Sequence, residues 1–395
     1  MYPSVGNLIK PETAVWGKEE WLYIAKSIIS GSVNKGNNVE LLSKTLAEKY
    51  PNSTVFVLNS ARAGLIASLL LFKKKQPDKT QVIIPEFICD SVPQAVKKCG
   101  LVPVFLPVSD DLNLNISSLY TGCNEKTLAV ILPHMYGKSA NIGQAEVLLK
   151  EKKIYLIDDA AQVAGVNIES KPLGGFGDVG LLSFAQAKTI VTGVRASGGV
   201  LFVNNKDLIG ALTENLQMLP FTKGRLSTLC HFLMVYKWQR VWKRMDYYIQ
   251  RLKQRIWDVH PDYYAQVSKI SNMEAGIALA QFASLSQRIS ATKKNIEYYQ
   301  ANQQLLTSFT FPQITQDNIY LTRMILQSKR IAPNILAKLL LQQGVVSNTV
   351  YGTGSKIFDG TSLSGLLELP LQGLALVDID KVVCALKKIE DNSYV

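Results

Sequence analysis

The chain has 395 residues, 47% of them hydrophobic and 19% charged, with a formal net charge of +12. That composition is globular and excludes collagen-like, disulfide-scaffold and disordered classes, and the length makes two packed units the default. No run of about 18 uncharged apolar residues occurs, and the strongest stretch, Leu65–Phe72, is too short to span a membrane.

The first residues, Met1–Glu12, carry no basic-then-apolar signal pattern and include Pro3 and Pro11, so a cytoplasmic protein is expected. From there to about Asn205, short apolar runs alternate with helical stretches. Strands are predicted at Thr54–Leu58, Val82–Pro85, Val102–Leu106, Thr127–Leu132, Ile154–Ile157, Gly180–Phe184 and Gly199–Val203. They are rich in Val, Ile, Leu and Phe without strict polar alternation, the pattern of strands covered on both faces. Helices are predicted at Ala61–Lys74, Ser91–Cys99 and Asn141–Lys152. This alternation implies an α/β domain with a mostly parallel sheet, which presents ligands at the carboxyl ends of its strands.

Beyond Asn205 the character changes. Tyr236–Trp257 has a helical period, with Trp238, Val241, Trp242, Met245, Ile249, Leu252 and Ile256 on one stripe. Nine basic residues and one acid, Asp246, fall between Lys223 and Arg255, so this segment holds +8 of the total +12. Its stripe is read first as covering the core or a dimer interface. The second reading is peripheral contact with an anionic membrane through 223–257. Nucleic acid ranks last, because no reader motif accompanies the charge, and no such partner is expected. Helices predicted at Met273–Leu305, at Ile335–Gly344 with Gly344 as its stop, and at Asp378–Ile389 with Asp378 as N-cap make up a smaller C-terminal α+β unit.

The cysteines Cys89, Cys99, Cys123, Cys230 and Cys384 are scattered without a CxxC pair, and the histidines number three (His134, His231, His260). Neither a disulfide framework nor a metal site is expected. Three stretches lie where the sheet would present ligands: Asn59-Ser60-Ala61-Arg62-Ala63-Gly64, Asp158-Asp159-Ala160-Ala161-Gln162 and Ser183-Phe184-Ala185-Gln186-Ala187-Lys188. A lysine at a strand end can serve as a nucleophilic amine once desolvated. Of the two aspartates, Asp158 fits a helix N-cap better and Asp159 a ligand contact. A helix opening at Ala61 favours an anion. His134 reads as a structural residue near the cleft rather than a base.

With His134-Met135-Tyr136-Gly137, Gly175-Phe176-Gly177-Asp178 and Gly198-Gly199, these stretches occur in an order and spacing that resembles the DegT/DnrJ/StrS family of pyridoxal-phosphate (PLP) sugar aminotransferases. Met273-Glu274-Ala275, Leu279-Ala280-Gln281 and Leu369-Pro370-Leu371 extend the likeness over most of the chain. The resemblance implies a type I PLP-dependent transferase fold: a mostly parallel seven-stranded sheet, a smaller C-terminal α+β domain and a homodimer. In these terms 1–50 is a segment packing on the large domain, 51–215 the PLP-binding domain, 216–268 a basic insertion and 269–395 the small domain.

The same resemblance implies the site. Lys188 would form the Schiff base with PLP and move the substrate proton. Asp159 would pair with the ring nitrogen, Gln162 would bond the ring hydroxyl and Ala161 would pack on the ring. Ala61, Arg62 and Ser183 would hold the phosphate. Cys89 stands where the family places a stacking aromatic, with Phe87 two residues earlier. Ala185 replaces a frequently bulky residue, and the stretch from Lys188 to Gly198 is longer than usual. The basic segment Lys223–Arg255 stands where the family has a loop that helps the neighbouring subunit's site, and Lys223 or Arg225 is the candidate for that loop's phosphate contact. The implied reaction moves an amino group from a donor such as glutamate to a keto-sugar nucleotide. A related dehydratase branch carries His at the lysine position. The alternatives are a non-sugar carbonyl acceptor in secondary metabolism, or a catalytically silent PLP-fold binding protein.

Overall fold

The computed structural model describes residues 8–10, 16–194, 196–233, 267–311, 321–349 and 365–392. They fall into two units: Trp16–Met135 with Ser139–Ser284, and Tyr136–Lys138 with Leu285–Val395 and the N-terminal residues. Among the described residues no helix is long and apolar enough to cross a membrane. The helix expected at Tyr236–Trp257 lies outside them.

The larger unit opens with α1 (Lys18–Ile29) and α2 (Asn38–Lys49). Its strands are β1 (Thr54–Leu58), β2 (Gln81–Pro85), β3 (Val102–Leu106), β4 (Thr127–Pro133), β5 (Tyr155–Asp159), the hairpin β6 (Asn167–Ile168) and β7 (Lys171–Pro172), β8 (Val179–Ser183) and β9 (Gly199–Val203). Seven of them form one sheet in the order β1-β9-β8-β5-β4-β2-β3. Each strand predicted from the apolar runs is in that sheet, within two residues of its expected ends. β4 shows why: all seven of its residues are buried, as expected for a strand with both faces covered.

β9 is antiparallel to both of its neighbours, β1 and β8, whereas β8, β5, β4, β2 and β3 pair in parallel. The segment leading into β9 therefore arrives at the edge where the other strands end. The crossover helices α3 (Ala61–Lys75), α4 (Ser91–Lys98), α5 (Ile116–Gly122) and α6 (Ile142–Glu151) are followed by α7 (Lys206–Gln217), α8 (Arg225–Phe232) and α9 (Asn272–Ala283). Ser60 caps α3 by accepting from the Ala63 N–H at 3.1 Å. A Cβ at Gly64 would touch Leu181 and Leu201 at 3.0 Å, so the absence of one lets α3 lie close on β8 and β9. Gly199 permits a closer approach. Its Cβ would fall 2.2 Å from the Ala61 nitrogen and 2.4 Å from the Ser60 carbonyl carbon.

The smaller unit pairs α10 (Leu285–Ala301), α11 (Pro333–Gln342) and α12 (Leu376–Asp391) with a four-stranded antiparallel sheet. Its strands are β10 (Phe309–Thr310), β11 (Met324–Ser328), β12 (Asn348–Thr349) and β13 (Leu366–Leu369), in the order β10-β11-β13-β12. Two expectations need correction. The single helix expected at Met273–Leu305 is two: α9 ends at Ala283 with Ser284 as its C-cap, and α10 begins at Leu285. The last helix starts at Leu376 with Ala375 as its N-cap. Asp378 instead sits in the first turn, where its charge suits the dipole and takes Lys381 at 3.3 Å.

Candidate active site

At the carboxyl edge of the seven-stranded sheet lies a cavity of about 310 Å³. Its walls come from the segments that leave β1 (Ser60, Ala61, Arg62), β2 (Ile88, Cys89), β4 (His134, Met135), β5 (Asp159, Ala161, Gln162) and β8 (Ser183, Gln186, Lys188), and from Val194 and Ala196 ahead of β9. All eight residues singled out from the sequence, Ala61, Arg62, Cys89, Asp159, Ala161, Gln162, Ser183 and Lys188, therefore line one space.

Asp159 ends β5 almost fully buried, and its carboxylate accepts from the Ala161 N–H at 3.1 Å. Burial pushes its pKa above the ordinary carboxylate value; the Lys188 ammonium, the Ala161 N–H and His134 pull it back only in part. Asp158 faces elsewhere. Its Oδ1 meets His134 Nε2 at 2.7 Å, and its Oδ2 accepts from the Gly174 and Phe176 N–H groups at 2.7 and 3.0 Å. No helix opens after β5, so the N-cap expected of Asp158 is not formed; the carboxylate ties β4 to the 174–176 turn. His134 Nδ1 accepts from the Ala140 N–H at 2.9 Å, so its proton sits on Nε2 and is donated to Asp158. With both nitrogens engaged, His134 lines the cavity but offers it no base.

Lys188 follows Ala187, whose φ of +63° is uncommon for a residue with a Cβ. The stretch after the lysine is tied at several points. Thr189 Oγ1 donates to the Gln162 carbonyl at 2.9 Å. Gln281 brackets Val191: its Oε1 accepts from the Val191 N–H at 2.9 Å and its Nε2 donates to the Val191 carbonyl at 2.6 Å. Trp16 Nε1 adds a second bond to that carbonyl at 2.8 Å. Thr192 Oγ1 donates to the Ser197 carbonyl at 2.6 Å, closing the longer loop on itself and presenting Val194 and Ala196 to the cavity.

Two sequence expectations change here. Phe87 is buried and does not line the cavity, so among the described residues no Phe, Tyr or Trp does; Cys89 does line it, with its Sγ 3.2 Å from Ser91 Oγ. Arg225 is buried and committed to Glu274, which also accepts from Ser271 Oγ at 2.8 Å, so it is not available as a phosphate contact. Burial raises the Glu274 pKa, against the pull of Arg225. Sequence reasoning passed over Gln186, Thr189 and the bracketing role of Gln281. Gln186 and Gln281 lie inside motifs already noted, but nothing local marks where their side chains point.

The sequence profile of the DegT/DnrJ/EryC1/StrS aminotransferase family matches residues 15–360. The chain belongs to that family. GDP-perosamine synthase of Vibrio cholerae is 30% identical over 189 residues, 47% of this chain and 50% of that protein. The Salmonella typhimurium lipopolysaccharide biosynthesis protein RfbH is 24% identical over 325 residues, 78% of this chain and 70% of that one. The chain spans about half the length of most of the curated relatives it matches. Among solved family folds, Helicobacter pylori PseC, an aminotransferase involved in pseudoaminic acid biosynthesis, superposes with a TM-score of 0.77 at 16% identity, covering 98% of this chain and 100% of that one. The E. coli GDP-4-keto-6-deoxy-D-mannose-3-dehydratase with bound hydrated PLP gives 0.73 at 18% identity, covering 97% and 100%. At those identities the DegT/DnrJ/EryC1/StrS likeness in three dimensions speaks for the fold: a large, mostly parallel sheet with a smaller C-terminal part.

Proposed function

We propose that the protein is a PLP-dependent aminotransferase that moves an amino group from an amino-acid donor such as glutamate to a keto-sugar nucleotide. The observation that carries this reading is a single cavity holding Lys188, the buried carboxylate of Asp159 and the start of α3. Relatives named for nucleotide-sugar products support the acceptor class. Lys188, in place of the histidine of the dehydratase branch, favours amino transfer over dehydration.

The residues present fit the cofactor. Asp159 is a buried carboxylate whose desolvation is only partly offset, and a pyridinium N–H would give it a paired charge. Gly199 leaves clear the backbone around Ser60 and Ala61 that a Cβ would invade. The positive end of α3, the Arg62 side chain and the Ser183 hydroxyl have the chemistry to hold a phosphate. When bound, PLP supplies an electron sink and carries the amino group between the two half-reactions. Lys188 would provide the amine for its aldehyde, and its Nζ would take and return the proton at the carbon that exchanges nitrogen. Asp159 would keep the ring nitrogen protonated. Gln162 would bond the ring hydroxyl, with Ala161 and Cys89 beside the ring. Leu65, Val92 and Leu181 exclude water from the walls.

The test is the visible absorbance of the PLP-loaded protein during addition of glutamate, then of a panel of keto-sugar nucleotides and simple keto acids. Loss of the visible band with glutamate and its return with a keto-sugar supports the reading. Return only with non-sugar carbonyls points to the alternative acceptor class, and no change with any donor points to a silent binding protein. A homodimer and a cytoplasmic location belong to this reading. The basic segment 223–257, mostly outside the described residues, is assigned in this reading to the core or the dimer interface rather than to a membrane. Sedimentation gives the dimer mass, and salt-sensitive pelleting with anionic vesicles would reverse that assignment.

A further inference from the structure

Helix α1 packs one side against α9. Glu20, Ile24 and Ser27 are buried there, and a Cβ at Gly276 would fall 2.6 Å from Tyr23 Cδ1. The opposite side carries Trp21, Leu22, Ala25, Ile28 and Ile29, spaced as one apolar helical stripe, and all five are exposed. Ile28 and Ile29 are 47% and 87% exposed. Single apolar residues at a surface are ordinary. A contiguous apolar stripe bordered by Lys18, Glu19 and Lys26 has the anatomy of an interface instead.

The sizes along the stripe indicate its occupant. Large apolar side chains stand four and three residues before Ala25, and three and four residues after it, so the stripe reads the same in both directions. A twofold contact requires this self-complementarity: where one residue meets a second, the second meets the first. With the axis at Ala25, two copies of α1 lie antiparallel, Trp21 beside the partner's Ile29 and Leu22 beside the partner's Ile28. The small alanine lets the helices approach where they cross. We propose that the α1 stripe is the centre of a twofold interface between two copies of the chain. The inference rests on the homodimer in the reading above and names its face. A stable dimer buries about 800 Å² per partner, more than five side chains supply, so neighbouring surface completes the contact. Trp21 meets the Trp16 ring edge-on at 5.7 Å, and Trp16 Nε1 holds the Val191 carbonyl, so the interface adjoins the chain beyond Lys188. The rival cover is the segment that follows α8, because the Phe232 ring lies 4.7 Å from the same Trp16 ring.

The experiment uses the PLP-loaded full chain. Ala25→Cys places a thiol where it meets its own copy across the axis, whereas Glu19→Cys lies off the axis. Under mild oxidation Ala25→Cys is expected to form a disulfide-linked dimer at least about tenfold faster than Glu19→Cys or the wild type, whose exposed Cys230 and Cys384 serve as the control. Peptide mapping is expected to find the new thiol joined to its own copy. Leu22→Glu combined with Ile28→Glu is expected to weaken the dimer at least about 100-fold by sedimentation, with cooperative urea unfolding retained. A dimeric protein in which Ala25→Cys cross-links no faster than the controls overturns the proposal. A monomeric wild type overturns it together with the homodimer. If that monomer's Ala25→Cys variant takes a thiol label only after proteolysis within 234–266, that segment is the cover, and the proposal fails. Amino transfer is scored separately by absorbance: a cross-linked dimer without transfer removes the enzymatic reading and leaves this interface standing.

Discussion

Asp158→Asn and Asp159→Asn change neighbouring residues by the same atoms and are expected to fail in opposite ways. The Asp158 carboxylate serves three buried donors: His134 Nε2 on Oδ1, and the Gly174 and Phe176 N–H groups on Oδ2. An asparagine has one oxygen. If it keeps the two backbone donors, its amide N–H₂ faces the His134 N–H. The imidazole cannot answer by moving its proton, because the Ala140 N–H already occupies Nδ1. One charge-assisted bond of about 1.5–3 kcal/mol is lost, and a buried donor is left unsatisfied at about 1–3 kcal/mol more. The result is a destabilisation of about 2.5–6 kcal/mol, a large share of the roughly 5–15 kcal/mol typical of a folded protein. Asp159 has the reverse balance. Its ionised form is disfavoured by burial, so an amide there leaves the cofactor-free protein within about 1 kcal/mol of wild type or more stable. It cannot hold the ring nitrogen protonated, and amino transfer falls about 10²- to 10³-fold, as when one preorganised electrostatic group is removed. Urea unfolding of the cofactor-free proteins and single-turnover spectra with glutamate measure the two effects. If Asp159→Asn proves the less stable without PLP, or Asp158→Asn unfolds at the wild-type midpoint, this division of labour is wrong.

Lys188→Ala is expected to abolish the borohydride-trapped bond to PLP; mass spectrometry that finds the cofactor on a different lysine in the wild type removes Lys188 from its role. Gly199→Ala drives a Cβ against backbone atoms of Ser60 and Ala61, which cannot yield like a side chain, so PLP affinity measured by equilibrium dialysis should fall at least about tenfold. PLP affinity should also weaken as pH falls through the raised Asp159 pKa, because the protonated carboxyl no longer pairs with the ring nitrogen. Without PLP the sign is opposite. The folded state holds the Asp159 proton more tightly than the unfolded state, so this group's contribution to stability declines as pH rises from the ordinary carboxylate pKa to the raised one. The difference between wild type and Asp159→Asn in urea melts across that window isolates it.

Much of this architecture is legible in the residues. Apolar runs such as Thr-Leu-Ala-Val-Ile-Leu in β4 are too continuous for a half-exposed strand, and they locate the sheet and its ligand edge. The motif residues then gather there because each comes just after a strand end. What the pattern does not carry is facing and pairing. Asp158 and Asp159 are chemically identical, and a strand sends successive side chains to opposite sides, so only the pairing of β5 with β4 shows which one meets His134. The helical period runs unbroken across Ser284, yet one helix ends there and the next begins at Leu285, a break that the period does not mark. Phe87 and Cys89 lie two residues apart, and only the structure shows that Cys89 lines the cavity while Phe87 is buried away from it.

The bracket around Val191 bears on how the protein takes up its cofactor. Both polar backbone groups of Val191 are held by the side chain of one buried residue, Gln281, and the carbonyl is shared with Trp16. The entropy lost in ordering the chain just beyond Lys188 is therefore spent once, during folding, and not again each time PLP arrives. Cofactor capture then resembles docking to a rigid seat more than closing a loose strap. The Val191 amide should resist hydrogen exchange in the empty protein nearly as well as in the loaded one.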